Sequence, residues 1–344
     1  MATNPETEKI EVLSTLGFDE GLQARLRAVS PRLNFTFIRT GKAEEIPAEV
    51  WQRTEVLYTN WVLPQPELAP KLRWVQFHWA GIDHVIQSPL LNKTEVVATT
   101  LSGSNASQIA EYVLMMLLAL GHHLPEMIAA QKRSEWPRDR WERFSPRELR
   151  GSTIGIVGYG SIGRQIARLL HDFGATILAT KRDVMHPEDY NYMPPGMGDP
   201  EGNFVRRLYP PQALCSMFTA CDAVVVTVPL TAETRGLIGS KALAALKSTA
   251  FLVDVSRGGV IDHAALMAAL SEQRIAGAAL DVFPEEPLPS DSPLWKMPNV
   301  LISPHMSGST PHYDERAVTL FSENLQRYIA GQDLLNQYDP RYGY

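Results

Sequence analysis

The sequence predicts an α/β protein of two domains, each built on a doubly wound parallel sheet. Short apolar runs rich in β-branched residues alternate with helical or turn-rich segments over residues 9–104, and the same rhythm resumes at Thr153. Such alternation is typical of βαβ units, which form parallel sheets covered by helices. The length of 344 residues also favours about two domains, each large enough for its own core.

The segment Thr153–Gly163, with the sequence TIGIVGYGSIG, joins a clear strand pattern to a helical pattern over Arg164–Phe173. Its spacing, Gly158-x-Gly160-x-x-Gly163, has a physical purpose in that position. The first glycine permits a tight turn, the second lets the backbone approach a pyrophosphate, and the third lets helix pack closely on strand. The helix N-terminus adds N–H donors and a positive dipole end. Ordinary tight turns also use glycines, but the strand-to-helix context favours a dinucleotide site.

Composition and charge narrow the class of protein. A net charge of −6 with no basic cluster argues against a nucleic-acid or anionic-membrane binder. The first residues are acidic, unlike a signal peptide, and the longest clean apolar run, Val113–Leu120, is far shorter than a membrane span. Cys215 and Cys221 lack the spacing of zinc ligands. We therefore expect no metal, reduced thiols and a cytoplasmic protein.

The first half of the chain predicts mainly short strands. A helix is expected at Glu20–Val29, and a capping-box-like segment, Asn105–Gln108, opens a buried apolar helix that ends near Leu120. The charged and aromatic stretch Trp136–Arg150 is interpreted as a connector. The predicted strands are Ile10–Leu16, Phe35–Ile38, Val56–Tyr58, Leu72–Phe77 and Val96–Thr99.

The second half continues the alternation around one interruption. The segment His186–Pro211, called the insert below, is rich in Pro, Gly and Tyr and is interpreted as a surface loop. A last helix is expected from Thr310-Pro311 to about Ala330-Gly331. The other predicted elements are strands at Thr176–Ala179, Ala223–Val228, Phe251–Val255, Gly277–Val282 and Val300–Ser303, and helices at Leu214–Ala220, Lys241–Leu246 and His263–Glu272.

Ionisable side chains follow the last three predicted strands: Arg257, Glu286 and His305. Ligands of open parallel sheets bind at the carboxyl ends of strands, so these side chains are expected at one edge. Arginine can hold a carboxylate through two parallel hydrogen bonds, and histidine can protonate an alkoxide. A carboxylate beside the histidine favours the imidazolium and orients the ring. Each residue alone is more often structural, but together they predict hydride transfer to a 2-oxo acid.

Ordered motifs extend along nearly the whole chain. They are Ala80-Gly-Ile-Asp-His84, Asn105 through Ala110-Glu111, Gly158-x-Gly160-x-x-Gly163, Pro229-Leu-Thr, Ser256-Arg-Gly-Gly259, Ala279-Leu-Asp-Val282, Glu286-Pro287 and Pro304-His305. Together they resemble the D-isomer-specific 2-hydroxyacid dehydrogenases, the family of glyoxylate/hydroxypyruvate reductases, D-phosphoglycerate dehydrogenases and formate dehydrogenases. The resemblance implies a Rossmann dinucleotide-binding domain, 105–308, inserted into a discontinuous flavodoxin-like substrate domain, 1–104 and 309–344. It also implies a homodimer, to which the helix after Asn105 contributes.

The resemblance also implies roles for individual residues. Arg257 binds substrate, His305 is the acid/base and Glu286 is its partner. Asp281 matches the residue that holds the nicotinamide carboxamide, and the backbone around Ala80-Gly81 matches the loop that grips the substrate carboxylate. The implied cofactor contacts are Gly158, Gly160, Ser161, Ile162, Gly163, Lys181, Arg182, Pro229, Thr234, Val255, Asp281, His305 and Gly308.

The residues after the second strand of the dinucleotide-binding domain predict which cofactor is preferred. NAD-preferring members carry Asp there, about 20 residues past the glycine turn, to bind the ribose hydroxyls. This chain has Lys181 and Arg182, beginning 18 residues after Gly163. Two cations attract a 2′-phosphate, and each charge-assisted contact contributes about 1.5–3 kcal/mol, roughly a tenfold preference or more. NADP(H) is therefore predicted over NAD(H), although Asp183 next door leaves NAD(H) possible.

The substrate is less well defined than the chemistry. Trp79, directly before Ala80-Gly81, either caps the substrate pocket or packs structurally, and packing is favoured. Few cations are available for a substrate phosphate, and reduction with NADPH suits glyoxylate or hydroxypyruvate. The alternatives are an NAD-dependent D-2-hydroxyacid dehydrogenase, for example of phosphoglycerate, and a non-catalytic dinucleotide-sensing scaffold. The chain lacks the long low-complexity tail expected of such a scaffold.

Overall fold

The computed structural model describes residues 9–93 and 95–343 of the chain. The chain divides into two compact units, one made of Met1–Asn105 and Thr310–Tyr344 and the other of Ala106–Ser309. The boundaries expected from the sequence, 104/105 and 308/309, lie one residue earlier at each crossing. Both units are α/β structures on parallel sheets, so the predicted fold class is confirmed.

The first unit contains a parallel sheet of five strands with helices on both faces. Alternate residues of each strand enter two separate cores: Leu57 lies in one of them, whereas Val56 and Tyr58 lie in the other. Its elements are β1 (Ile10–Ser14), α1 (Glu20–Arg27), β2 (Leu33–Phe37), α2 (Ala48–Arg53), β3 (Val56–Thr59), β4 (Trp74–Phe77), β5 (Val97–Thr99) and α10 (Tyr313–Ile329).

The strand order of this sheet is β2-β1-β3-β4-β5, which is the flavodoxin-like order. Helix α1 begins where Asp19 accepts a hydrogen bond from Leu22 N at 2.8 Å. Helix α10 begins at Tyr313, later than the predicted start at Thr310-Pro311, because the chain makes a turn first and Thr310 Oγ1 accepts from His312 N at 3.3 Å.

The second unit contains a parallel sheet of seven strands in the described residues. Its two faces are covered by separate cores, one with α3 and α6 and the other with α7 to α9. Its elements are α3 (Ala106–Gly121), α4 (Leu124–Lys132), α5 (Arg140–Arg143), β6 (Thr153–Val157), α6 (Ser161–Asp172), β7 (Thr176–Thr180), β8 (Val205–Tyr209), α7 (Leu214–Phe218), β9 (Ala223–Val226), α8 (Ser240–Ala244), β10 (Phe251–Asp254), α9 (His263–Ser271), β11 (Gly277–Leu280) and β12 (Val300–Ile302).

The strand order of the second sheet is β12-β11-β10-β9-β6-β7-β8. The six strands β6 to β11 have the strand order of a Rossmann sheet, with β6 between β7 and β9. Strand β12 extends the sheet by one strand beside β11. The carboxyl ends of β6 and β9 to β12 therefore meet at one edge. This edge brings the glycine turn and the three predicted catalytic side chains to the same side of the sheet.

One prediction in this unit was wrong, and one helix was not predicted. The insert is not wholly a loop, because Val205–Tyr209 pairs with β7 as the outermost strand. This strand contains two exposed arginines and buries only one face, so its sequence lacks the continuous apolar run that predicts a strand. No element was predicted between Leu120 and Trp136. In the structure His123 takes a left-handed φ of 55°, and a second helix, α4, follows at once.

In residues 9–93 and 95–343 no single helix is long and apolar enough to cross a membrane, and only α3 and α4 joined, across a bend of 63°, meet that length and composition.

Candidate active site

The glycine turn lies between β6 and α6. Each of its three glycines differs in what surrounds it. Gly158 has a φ of +104°, and a Cβ there would lie 2.8 Å from Val228 Cγ1. A Cβ on Gly163 would lie 2.2 Å from Gly158 O, so helix and turn touch at this point. Nothing lies within 4 Å of a Cβ built on Gly160, which caps α6. The fold requires Gly158 and Gly163, whereas Gly160 leaves space for a ligand.

That space suits the pyrophosphate of a dinucleotide. Ser161, Ile162 and Gly163 form the first turn of α6, where backbone N–H groups have no partner within the helix and the dipole favours an anion. The turn is held in place because Gly158 N donates to Thr180 Oγ1 at 3.0 Å and Thr227 Oγ1 donates to Gly158 O at 2.8 Å. The residues present therefore fit the cofactor.

We expect Gly160→Ala to preserve the fold but to weaken NADPH binding about tenfold or more, because its methyl group occupies the space of the phosphate. Gly163→Ala, in the same turn, is the matched comparison. Its Cβ overlaps Gly158 O, so the free energy of unfolding should fall by about 1–3 kcal/mol. Thermal unfolding without ligand and fluorescence titration with NADPH measure the two effects. Equal losses of thermal stability in the two variants would contradict a ligand role for Gly160.

Other implied cofactor residues lie near the same edge of the sheet. Thr234 Oγ1 donates to Pro229 O at 2.6 Å, which closes the turn after β9. Val255 follows β10 and its N–H donates to Val226 O at 3.2 Å. Gly308 O accepts from the Gln108 amide at 2.8 Å, which links the two ends of the second unit's chain. Their contacts with a cofactor stay a prediction.

The insert is fixed on the glycine turn and on α6. Arg164, the residue after Gly163, is completely buried, and its guanidinium donates to Asp199 O at 2.5 Å and lies 3.3 Å from an Asp189 oxygen. Tyr159, inside the glycine turn, donates its hydroxyl hydrogen to Asp199 Oδ2 at 2.5 Å. The insert is thus part of the structure that surrounds the expected phosphate site.

The two cations predicted to select the cofactor have different surroundings. The Lys181 ammonium donates to His186 O and, at 2.9 Å, to Glu188 O, and burial lowers its pKa. Arg182 is exposed. Asp183, which was a candidate ribose ligand, lies 2.6 Å from His186 Nδ1, and this hydrogen bond lowers the pKa of Asp183 and raises that of His186. Lys181 therefore supports the insert, and Asp183 is engaged by a histidine.

Glu286 and His305 are in direct contact. His305 Nδ1 lies 2.8 Å from Glu286 Oε2, and Glu286 Oε1 accepts from Phe283 N at 2.9 Å. A carboxylate only accepts hydrogen bonds, so Nδ1 carries the proton and Nε2 is the ring atom left for chemistry. Both side chains are partly exposed, as a substrate-facing pair must be.

Asp281 shapes the loop that carries this histidine. It is completely buried, its Oδ1 accepts from Ser303 Oγ at 2.5 Å and Met306 N at 2.8 Å, and its Oδ2 accepts from Ser307 N at 2.9 Å. The carbonyl oxygen of Asp281 also accepts from His305 N at 2.9 Å. Asp281 is therefore a structural centre of residues 303–307, and its contact with a nicotinamide carboxamide stays a prediction.

Arg257 lies on the turn after β10. Its guanidinium donates to Ser256 O at 2.8 Å. A Cβ on Gly258 would lie 1.8 Å from Phe283 O, so this turn packs directly on the segment that positions Glu286. The structure thus places the predicted arginine beside the turn of the predicted carboxylate.

The expected substrate-carboxylate loop belongs to the first unit. Trp79 and Ala80-Gly81 follow β4, and Leu101 N donates to Trp79 O at 3.0 Å. The Trp79 ring packs on His78 and Tyr313, with centroids 5.3 and 5.6 Å apart, yet the residue is 37% exposed. This packing supports the structural interpretation of Trp79 within its own unit.

His78 beside it is structural. It is buried, Tyr58 Oη lies 2.7 Å from its Nδ1, and burial lowers its pKa to about 4. It is therefore neutral at neutral pH, although its Nε2 lies 3.4 Å from an Asp314 oxygen.

Some residues that shape the site were missed by the sequence analysis. Asp254 at the end of β10 is a completely buried carboxylate whose Oδ1 accepts from Ser256 Oγ at 2.5 Å. Ser303 joins Tyr112 of α3, with 2.5 Å between the hydroxyl oxygens, to the loop around Asp281. A charged residue inside an apolar strand was the available signal for Asp254.

Comparisons with known proteins agree with this architecture. The sequence profile of the D-isomer specific 2-hydroxyacid dehydrogenase NAD-binding domain matches residues 114–307. The chain is 34% identical to D-3-phosphoglycerate dehydrogenase of Methanocaldococcus jannaschii, over 77% of this chain and 47% of that protein. It is 33% identical to glyoxylate reductase of Thermofilum pendens, over 77% and 74%. The chain thus spans about half the length of the first relative.

A solved structure extends the similarity to the whole chain. The D-isomer specific 2-hydroxyacid dehydrogenase of Xanthobacter autotrophicus, in complex with NADPH and MES, is 30% identical with a TM-score of 0.79, over 98% of this chain and 100% of that one. The chain therefore belongs to the D-isomer specific 2-hydroxyacid dehydrogenase family, as its motifs predicted. Members of this family are oxidoreductases that act on the CH–OH group of their donors.

Proposed function

We propose that this protein is an NADP(H)-dependent reductase of small 2-oxo acids, with glyoxylate and hydroxypyruvate as the first candidate substrates. The contact between His305 and Glu286, at 2.8 Å, is the observation that carries the proposal. It is the arrangement needed to hold an acid at a substrate carbonyl, and a protein that only senses a dinucleotide has no use for it.

Each residue of the site has one role in this reaction. Arg257 binds the substrate carboxylate and orients the carbonyl. His305 donates a proton from Nε2 to the oxygen as it becomes a hydroxyl, while Glu286 accepts a hydrogen bond from Nδ1 and keeps the ring oriented. A bound nicotinamide dinucleotide supplies the hydride. The Asp281 loop fixes where the histidine stands.

Preference for NADP(H) rests on the charge at the end of β7. Lys181 and Arg182 stand where NAD-preferring members carry a carboxylate, and the similar Xanthobacter structure contains NADPH. The exposed Arg182 is the residue we expect to meet the 2′-phosphate. One observation supports the alternative, an NAD-dependent D-2-hydroxyacid dehydrogenase. The Lys181 ammonium donates to the insert, so fewer cations remain for a 2′-phosphate.

The fall in NADPH absorbance on addition of glyoxylate or hydroxypyruvate tests the proposal, with NADH assayed in parallel. Turnover with NADPH and at least one of these acids is expected. No turnover with any 2-oxo acid would favour the dinucleotide-sensing scaffold. Equal efficiency with NADH and NADPH at the same concentration would refute the cofactor preference.

We expect Arg182→Gln to lower kcat/KM for NADPH about tenfold and to leave kcat/KM for NADH nearly unchanged, because one charge-assisted contact with the phosphate is lost. Arg206→Gln is the matched control, since Arg206 is an exposed arginine of β8 in the same unit. Steady-state kinetics with both cofactors measure the effect. A parallel loss with NADPH and NADH would assign Arg182 a structural role instead.

We also propose a homodimer formed through α3, α4 and the connector after them. Exposed apolar side chains gather on this part of the chain, which is typical of an interaction surface. They are Met115, Leu124, Met127, Ile128, Trp136 and Trp141. Light scattering during size-exclusion chromatography tests this, and the mass of a monomer at micromolar concentration would contradict it.

A further inference from the structure

Asp254 is a buried carboxyl group that the proposed chemistry does not use. It ends β10, three residues before Arg257, and is completely buried. Its Oδ1 accepts from Ser256 N at 3.0 Å and from Ser256 Oγ at 2.5 Å. Its Oδ2 is buried and has no hydrogen-bond partner among residues 9–93 and 95–343. One oxygen therefore holds the turn that carries Arg257, and the other is unsatisfied.

The charged and titratable groups around Asp254 disfavour a second negative charge. On β11, Asp281 is also completely buried, and its N–H donates to Asp254 O at 3.0 Å. On α3, Tyr112 has a pKa raised to about 12, by burial first and also by Asp281 and Asp254. Among the described residues, Arg257 on the following turn is a cation whose charge lowers the pKa of Asp254.

Of the two buried acids, Asp254 is the one suited to keep a proton. Three donors surround the Asp281 carboxylate and stabilise its charge, whereas an ionised Asp254 would leave one oxygen without a donor. Burial raises the pKa of Asp254 to about 7, and Asp281 adds to this, while the Ser256 hydrogen bonds and Arg257 oppose it.

We propose that Asp254 is a positioning residue for the reaction, which keeps the Arg257 turn in its substrate-binding shape only while its carboxyl group is protonated. This inference rests on the proposed function, because it takes Arg257 as the residue that binds the substrate carboxylate. In the neutral form, the hydrogen bonds that Ser256 N and Oγ donate to Asp254 Oδ1 hold the turn that carries Arg257.

Ionisation changes the balance of charges within this turn. A buried, unpaired negative oxygen beside Asp281 is strongly unfavourable, and attraction of the nearby Arg257 guanidinium relieves it. The arginine that draws in toward Asp254 is the same one that the substrate carboxylate needs. The substrate and the ionised Asp254 therefore compete for one cation.

The test is the pH dependence of KM for the 2-oxo acid, measured with saturating NADPH for the wild type and Asp254→Asn. For the wild type, KM should rise about tenfold per pH unit above the pKa of Asp254, because only the protonated fraction binds substrate well. Asp254→Asn cannot ionise, so its KM should stay flat over the same range. The pH dependence of kcat should be the same in both proteins.

Asp291→Asn is the control, since Asp291 is an exposed aspartate of the same unit, and it should show the wild-type rise in KM. A flat wild-type KM, or an unchanged rise in Asp254→Asn, would overturn the inference while leaving the reductase function standing. Absence of turnover in the wild type and in both variants would instead contradict the proposed function, and this inference with it.

Thermal unfolding against pH gives a readout that needs no substrate. An acid whose pKa is raised on folding stabilises the protein at low pH, and this contribution is lost as pH rises through the folded pKa. The Tm of the wild type should therefore fall relative to that of Asp254→Asn between about pH 4 and pH 7, and reach a constant difference above that range. A constant difference over the whole range would contradict a protonated Asp254.

Discussion

Replacement of His305 by Ala is expected to lower kcat about 10³-fold and to leave the affinity for NADPH nearly unchanged. The variant removes the ring that delivers the proton, whereas the loop that positions it is held by Asp281 through the backbone and Ser303 and persists without the imidazole. Stopped-flow or steady-state turnover with saturating substrate gives kcat, and fluorescence titration gives the dissociation constant of NADPH.

Two further variants sharpen this result. Glu286→Gln keeps an oxygen for the hydrogen bond from Phe283 N but loses the charge beside the ring, so a smaller loss of kcat is expected. His312→Ala is the control, because His312 is an exposed histidine that also pairs with a glutamate, Glu315, at 3.2 Å. It should behave as the wild type. Turnover near the wild-type value in His305→Ala would remove His305 from the mechanism.

Arg257→Gln is expected to lower kcat/KM for the 2-oxo acid about 10²–10⁴-fold, because two charge-assisted hydrogen bonds of about 1.5–3 kcal/mol each are lost. Arg257→Lys should recover little of this loss, since one ammonium cannot form two parallel bonds with a carboxylate. Kinetics with varied substrate and saturating NADPH measure both effects.

The control for Arg257 is Arg274→Gln, an exposed arginine of the same unit that pairs with Glu272 at 2.8 Å. It should leave kcat/KM unchanged. Thermal unfolding of all three variants separates lost binding from lost folding. Wild-type efficiency in Arg257→Lys would show that a single positive charge suffices and that the two-bond geometry is not used.

The fold followed from the sequence because buried parallel strands produce short, continuous apolar runs. Strand β9 is buried along its whole length, as are β10 and β11, and each lies within the range predicted for it. The rhythm of strands and helices then left few topologies open. The ends of elements were less predictable, since α10 begins after a turn that Pro311 does not distinguish from a first helical turn.

The structure around the insert could not be predicted from local sequence patterns. Arg164 looks like a surface residue of an amphipathic helix, yet it is completely buried because distant carbonyl groups of the insert surround it. Strand β8 has one buried residue and two exposed arginines, so its sheet pairing depends on a neighbour and not on its own hydrophobicity. Both features are tertiary, and local patterns do not encode them.

The candidate site was predictable to the extent that it lies at strand ends. Arg257, Glu286 and His305 could be found because open parallel sheets place such residues at one edge. The residues behind them could not be found in this way. Asp281 and Asp254 both follow an apolar run and look alike in the sequence. Only the hydrogen-bond donors around them in the structure distinguish the satisfied carboxylate of Asp281 from the unsatisfied oxygen of Asp254.

The attachment of the insert has a consequence for redesign of the enzyme. Lys181 holds the insert by its ammonium group, and the insert in turn holds Arg164 and Tyr159 beside the glycine turn. An exchange of residues 181 and 182 alone would therefore change the residues expected to bind the cofactor. It would also remove the hydrogen bonds by which Lys181 holds the insert. We therefore expect that cofactor preference can be transferred between relatives only when residues 158–211 are exchanged together.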